Sequence, residues 1–525
     1  MGRAQAGSAR LSAPDGSPVQ LAELVAALSL AADLASGVTL EHGLRTCLLA
    51  TRLAERAGLG QAARRDVYYV SLLRSIGCTS DAHEQSVLFG DEIAARAELN
   101  LAAHLPPREL LGVLVRHSGA GQPPLRRAQA LGRVLTAGRD MPRAVATAHC
   151  AAAERLGRRL GFADGVPEAL NSLFERWDGQ GFPHGLAGPD IPPPARFTQV
   201  AYDALLLHEH AGHSDQVTAA AGSLYDPGVV ALLRPDDVAE AAGLLAPWPE
   251  ALTLEPGGPT PLSAGQLDEA CCAAADFADL KSPWLLGHSR AVAELAEAAA
   301  WRMRMPPAEV ETLRRAALLH DLGRVTVPAD TWDRPGPLRA GDWEGVRLHA
   351  YQTERALARC GGLAVLGEIA GAHHERLDGS GYHRGAKAAQ LPPTARMLAA
   401  ADTYQAMTEA RPHRGALPPG QAAEELEAQV RAGCLDGDCV QAVLAAAGQR
   451  TAARPRRQHP GALSEREVEV LCLLARGQSN RQIAARLGIT PKTAGHHVQH
   501  IYAKIGVSTR ATAALFALEN GLLGA

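Results

Sequence analysis

ALLHDLGRVTVP, residues 317–328, carries an apolar run into an adjacent histidine and aspartate, His320-Asp321. Its earlier counterpart, SLLRSIGCTSDA at residues 71–82, keeps a leucine pair and the glycine but has Arg74-Ser75 where the pair stands. The contrast extends outward. One set of landmarks reads His288, His320-Asp321, His349, His373-His374 and Asp402; the aligned positions are His42, Arg74-Ser75, His149, Leu173-Phe174 and Tyr202. The spacing is shared: 32 residues separate His42 from Arg74 and His288 from His320, and 24 separate His149 from Leu173 and His349 from His373. Asp178-Gly179 aligns with Asp378-Gly379, Arg196 with Arg396, and Glu154-Arg155 with Glu354-Arg355, all at an offset of 200. About 46 extra residues lie between the second and third landmarks of the first copy. Fixed spacing over such lengths marks a tandem repeat.

Residues 290–301, 310–319 and 422–430 place apolar side chains at three- and four-residue intervals, and β-branched alternation is scarce. That period predicts helix, and abundant Ala and Leu favour it further. The expected fold is all-α: two tandem helical domains followed by a small helix-turn-helix domain. Pro/Gly-rich stretches at 246–265 and 448–461 read as linkers. The expected domains are therefore 1–250, 266–447 and 462–525, with 448–461 a basic linker. A chain of 525 residues suits about three domains.

A composition of 46% hydrophobic and 21% charged residues is that of an ordinary globular protein. A net charge of −4 makes no whole-chain case for nucleic acid, so any basic surface is local. There is no apolar run of about 18 residues and no signal-peptide core at the N-terminus. A cytoplasmic protein without a membrane partner is expected. None of the nine cysteines forms a Cys-x-x-Cys pair, so they read as small core residues.

The second copy's five histidines and two aspartates spread over about 115 positions. Any one of them alone reads as an ordinary hydrogen-bonded histidine or surface acid; the set reads differently. Imidazole with carboxylate suits Fe, Mn or Zn better than Ca or Mg. A carboxylate beside a histidine can bridge two ions about 3.5–4 Å apart, an arrangement suited to attack on phosphorus. His373 and His374 cannot both point the same way on a helix, where neighbours differ by about 100°, but the pair can still serve two metals or one edge of a cluster. In the first copy only His42 and His149 survive, so a binuclear site there is not expected. His83, His104 and His117, in or near its inserted region, could form another site, but the favoured reading is surface or core histidines.

The combination FADLKSPWLLGHSRAVAELA, ALLHDLGRVTVP, DRPGPL…WEGVRLH, HHERLDGSGYHRG and ARMLAAADTYQAMTEARPHR resembles the HD-GYP branch of the HD-domain metal-dependent phosphohydrolases. The resemblance spans about residues 274–446, and a degenerate form spans about 28–233, where ERWDGQGFPHGLAGPDIP is retained. It implies an all-helical fold, divalent metal ions (Fe or Mn) and cyclic dinucleotides, especially cyclic di-GMP, as ligand or substrate. The implied metal ligands are His288, His320, Asp321, His349, His373, His374 and Asp402. Asp321 and Arg324 are the implied catalytic pair, and Arg324 and Lys387 the phosphate-holding residues. The position of a third-metal Glu is Trp284, which favours two ions. Arg324 stands where the family has lysine, His383 where the GYP motif has proline, and Gln405 where an aspartate is usual. A proline lost at 383 frees a backbone N–H and is expected to loosen the loop.

Residues 462–525 begin with Ser464-x-x-Glu467, a capping box. Ser479 can cap a second helix with Ile483 and Leu487 inward, and Gly488 fits the turn. Thr490-Pro491 supplies an N-cap and N1 for a third helix with Val498, Ile501 and Ile505 as its inner stripe. Seven Lys/Arg against four acids make the block +3, and Arg450, Arg454, Arg456 and Arg457 add charge before it. This stretch resembles the LuxR-type helix-turn-helix almost end to end. The resemblance implies double-stranded DNA as partner and a homodimer paired through the last helix. Lys492, Thr493, His496 and Gln499 then face base edges, with Arg481 and Lys504 on phosphates. Gly495 stands where relatives often carry a basic residue.

The expected function is a transcription regulator carrying a metal-dependent phosphodiesterase module. The alternative is a regulator whose helical domains bind nucleotide or metal with little turnover. A third possibility, domains that only dimerise the DNA reader, leaves the seven ligands unexplained.

Overall fold

The computed structural model describes residues 18–138, 140–212, 214–450 and 460–523. Among them no β-strand forms; the elements are α-helices with short 3-10 turns. None of these helices is long and apolar enough to cross a membrane. The charge assigned to Arg454, Arg456 and Arg457, and to the Arg450 side chain, lies outside the described residues.

The repeat is visible in where helices begin. In the first copy they start at His42, Gln61, Asp140 and Pro193; in the second at His288, Pro307, Ala340 and Pro393. The first two pairs differ by 246 positions and the last two by 200. Proline opens the helices Pro193–Ala211, Pro307–Leu319, Pro393–Thr408 and Pro491–Ile505. Its fixed φ suits the first turn and its missing N–H is not needed there. Each copy also bonds a buried aspartate to the start of its histidine helix. Asp33 accepts from Gly43 N, and Asp279 from the N–H and hydroxyl of Ser289. Behind each helix-ending pair sits a glycine with no room for a side chain. A Cβ on Gly77 would lie 2.2 Å from the His149 carbonyl oxygen, and one on Gly323 2.0 Å from that of His349.

The stretch 246–265 corrects the reading of a plain linker. It contains a helix, Pro247–Thr253, with Trp248 and Ala251 buried in the core. Tyr68 donates to the Ala251 carbonyl at 3.1 Å and Tyr69 to Glu255 at 2.5 Å. Burying one tryptophan outweighs the turn-forming composition around it.

The first copy's inserted residues form the helices Ala82–Phe89, Glu92–Leu99, Pro107–His117 and Pro124–Ala137. They reach the second copy. Fully buried Glu92 pairs with fully buried Lys281 at 2.6 Å and accepts the Ala329 N–H. His83 meets Asp333 at 2.6 Å. One continuous apolar core includes Leu24 and Leu72 of the first copy, Leu313 and Leu398 of the second, and Val470 and Leu515 of the C-terminal block.

Candidate metal centre and nucleic-acid interface

Five segments deliver the seven predicted ligands. His288 opens the helix His288–Arg302, and His320 caps the C-terminus of Pro307–Leu319 with Asp321 next. His349 lies within Ala340–Ala358, and Asp402 within Pro393–Thr408. His373 and His374 do not stand on a helix. They occupy the turn after Ala364–Gly371, and there the two rings converge, centroids 4.0 Å apart. The 100° divergence expected of helical neighbours does not apply, because the backbone has left the helix.

His288, His320, Asp321, His349, His373 and Asp402 are each no more than 2% exposed. Ligand-type atoms fall into two groups: His288, His320 and Asp321, and His349, His373 and His374. Asp321 lies between them. Its Oδ2 is 3.0 Å from His320 Nε2 and 3.6 Å from His288 Nε2; its Oδ1 is 3.5 Å from His349 Nε2 and 3.6 Å from His373 Nε2. Asp402 repeats the division, with Oδ1 3.1 Å from His288 Nε2 and Oδ2 3.8 Å from His374 Nδ1.

The backbone sets the tautomers. His320 Nδ1 donates to the Ala317 carbonyl at 2.7 Å and His373 Nδ1 to Ala370 at 2.6 Å, and His349 Nδ1 donates to Val346. Each bond holds the proton on Nδ1 and leaves the Nε2 lone pair pointing inward. His349 Nε2 and His373 Nε2 thus face each other, two acceptors 3.1 Å apart. His320 Nε2 and both Asp321 oxygens are buried without a hydrogen-bond partner. Arg324 Nε is 2.8 Å from Asp321 Oδ1, but off the line a hydrogen bond requires. Converging lone pairs and an unsatisfied buried carboxylate are costly without a cation, so the residues fit a divalent metal.

Protonation agrees. Burial opposes the charge of Asp321, but Arg324 and His320 outweigh it and hold the carboxyl well below its ordinary range. Asp402 is held well below by the same contest, which the bond from His288 leads. Burial pushes His373 and His374 well below the usual imidazole value, leaving them neutral, the form that binds metal.

Three residues of this site escaped the sequence reading. Glu409 takes His288 Nδ1 at 2.9 Å, and Arg411 bonds Glu409 at 2.8 Å. The signal for Glu409 was its partner at offset 200: Glu209 meets His42 Nδ1 at 3.4 Å in the first copy. Glu375 accepts the N–H groups of Arg384 and Ala386, as Glu175 accepts those of His184 and Leu186. These bonds explain the retained E-R-x-D-G framework. Where the proline is missing, His383 Nε2 meets Glu354 at 3.3 Å, and Arg384 pairs with the same carboxylate. Lys387 stands exposed, its stem against Gly379, and no hydrogen bond or ion pair among the described residues ties it to the histidines.

In the first copy Arg74 lies over the Tyr202 ring at 3.6 Å and near Phe174 at 5.4 Å. His149 Nε2 is spent on the Arg74 carbonyl at 2.7 Å. One guanidinium with aromatic neighbours stands where the second copy gathers imidazoles and carboxylates. His83, His104 and His117 pair with Asp333, Tyr225 and Glu98.

The C-terminal block has helices Glu465–Ala475, Asn480–Leu487, Pro491–Ile505 and Arg510–Glu519. Ser464, Ser479 and Thr490 cap the first three as expected, and Gly488 takes the left-handed turn. Arg481, Lys492, Thr493, His496 and Gln499 are exposed together. Lys504 pairs with Glu467 at 2.7 Å and is 41% exposed. The last helix packs against Asp140–Arg159: Arg155 grips Glu519, Nε to Oε1 2.8 Å. Pairing of two chains through that helix therefore requires the block to undock.

The HD domain family matches residues 139–226 and 273–439, one segment in each copy, and the bacterial regulatory proteins of the luxR family match 461–517. The 3'3'-cGAMP-specific phosphodiesterase 3 of Vibrio cholerae is 28% identical over 439 residues, covering 81% of this chain and 94% of the relative. A cyclic di-GMP phosphodiesterase of Thermotoga maritima is 35% identical over 142 residues, 27% of this chain and 39% of the relative. The crystal structure of a V. cholerae cyclic GMP-AMP specific phosphodiesterase superposes with a TM-score of 0.57 at 25% identity, covering 82% of this chain and 98% of that one.

Proposed function

We propose, for a chain that belongs to the HD-domain proteins homologous to cyclic-dinucleotide phosphodiesterases and ends in a luxR-family domain, that it is a DNA-binding regulator whose second copy cleaves a phosphodiester of the cyclic-dinucleotide class. The observation that carries this reading is the shared carboxylate of Asp321, with one oxygen turned to each histidine group. The donor set suits two divalent ions, Fe or Mn, held by His288, His320, Asp321, His349, His373, His374 and Asp402. Ions there supply Lewis acidity for attack of water on phosphorus.

The chain's own groups do the rest. Backbone carbonyls lock the tautomers of His320, His349 and His373, so no reorganisation of donors is needed. Arg324 is 7% exposed and leans over Asp321, with Nη1 buried and unpartnered. Its planar fork is matched to a phosphate oxygen pair. The exposed face of the recognition helix Pro491–Ile505 presents Lys492, Thr493, His496 and Gln499 to a major groove.

The test is a single preparation of full-length protein, loaded with Mn or Fe and measured both for metal content and for hydrolysis of 3',3'-cGAMP, cyclic di-GMP and a generic phosphodiester. Hydrolysis that disappears in His320→Ala supports the reading. Equal inactivity of both proteins on all three, with nucleotide bound, replaces the enzyme by a ligand-binding regulator.

A further inference from the structure

Residues 281–287 lead directly into His288, and every block of the protein meets on them. Lys281 is fully buried against Glu92 of the first copy's insertion. Ser282 donates to Asp333, the residue that also holds His83. The Trp284 carbonyl accepts from Arg411 Nη1 at 3.2 Å, and Arg411 in turn holds Glu409, which holds His288 Nδ1. The stretch is thus tied to the candidate metal centre through His288 itself and through the Arg411–Glu409 pair.

Its other side touches the DNA-reading block at two points. Pro283 packs on the turn after the block's first helix: a Cβ on Gly477 would stand 2.7 Å from Pro283 Cγ. Gly287, left-handed at φ +82°, faces the last helix: a Cβ there would stand 3.3 Å from Leu518 Cδ2. One residue beyond Leu518, Glu519 is gripped by Arg155 and lies 3.9 Å from Arg159 Nε. Close glycine contacts leave no slack to absorb a small displacement of the segment. Packed interfaces of this kind shift between discrete arrangements and do not deform continuously.

We propose that residues 281–287 couple occupancy of the metal centre to the docking of the DNA-reading block, a coupling that rests on the metal reading above. His288 Nε2 faces Asp402 Oδ1 at 3.1 Å. A cation between the histidine groups changes the pull on that ring, and so on the helix whose first residue it is. The shift reaches the reader through Gly287–Leu518 and Pro283–Gly477. Linkage makes the effect reciprocal: engagement of the reader by DNA changes metal affinity by the same factor.

Hydrogen exchange on the full chain, with and without Mn2+, tests this. Exchange in peptides covering 281–290 and 510–523 is expected to change together, by about 5-fold or more. In Glu519→Arg the response at 281–290 persists and that at 510–523 is lost; adding Arg155→Glu restores it. A wild-type response confined to 281–290 overturns the coupling and leaves the metal reading standing. No response in either peptide overturns both.

Discussion

The guanidinium of Arg74 lies 3.6 Å from the centre of the Tyr202 ring, and these residues hold the sequence positions of His320 and Asp402. A cation-π contact in the first copy therefore replaces a histidine–carboxylate contact in the second. A desolvated contact of this kind is worth about 2 kcal/mol. Arg74→Ala is expected to lower stability by roughly that amount in urea unfolding, while metal content by elemental analysis stays at the wild-type level. His320→Ala is expected to do the reverse for metal content, because its Nε2 lies within the ligand group of His288 and Asp321. Loss of metal in Arg74→Ala would place ions in the first copy.

Glu409 orients His288 from behind, and removal of such a partner usually costs about 10- to 100-fold in metal affinity. Glu409→Gln keeps the hydrogen bond but not the charge, so it should fall at the mild end and Glu409→Ala at the severe end. Competition against a chromogenic chelator measures both. Wild-type affinity in Glu409→Ala would remove the residue from the site.

The Lys281–Glu92 pair is fully buried, so removing one partner strands a charge at a cost of about 3–5 kcal/mol. Lys281→Met and Glu92→Gln should each lower the unfolding midpoint sharply. Lys281→Met with Glu92→Leu should recover much of the loss, because an apolar pair leaves nothing unpaired except the Ala329 N–H. A double variant no better than the singles would mean that the charges do more than join the copies.

The His83–Asp333 clasp gives a pH signature. Burial pulls the imidazole down, but the hydrogen bond and charge of Asp333 outweigh it and hold His83 above its ordinary 6.5. A folded value above the unfolded one contributes stability that is complete below pH 6.5 and fades as pH rises through the raised value. His83→Gln should therefore be less stable than wild type near about pH 5.5, with the gap narrowing by about pH 8.5. Urea midpoints across that range check it, and a gap that widens with pH contradicts the sign.

For DNA, Lys492→Ala at a base edge should cost about 1–3 kcal/mol against the preferred site and relax sequence preference. Arg481→Ala on phosphate should weaken all sequences alike and reduce the salt slope by about one. Titrations at several salt concentrations separate the two roles.

Much of this was legible in the chain because it depends on local spacing. Proline, serine and threonine at helix starts and the left-handed Gly488 follow from short-range rules, and the offsets of 246 and 200 between helix starts follow from spacing shared by the two copies. The seven candidate ligands were legible as a set through the resemblance to the HD-GYP pattern and not through local spacing. Glu409 was less so, since an exposed-looking acid in a polar stretch carries no local mark; only its likeness to Glu209 exposes it. The convergence of His373 and His374 depends on the chain turning after Gly371, which residue spacing does not convey.

By itself the sequence determined the helices and the capped DNA-reading block, consequences of patterns within one or two turns of chain, and it pointed to the duplication and the eroded first copy through spacings shared across 200 or more positions. Tertiary structure alone decided that Asp321 divides its oxygens between two histidine groups, that Lys281 is buried against an acid 189 positions away, and that residues 281–287 lie between the metal ligands and the last helix. These relations join side chains far apart in sequence. Their energies come from shared burial and charge pairing, which exist only once distant helices have packed.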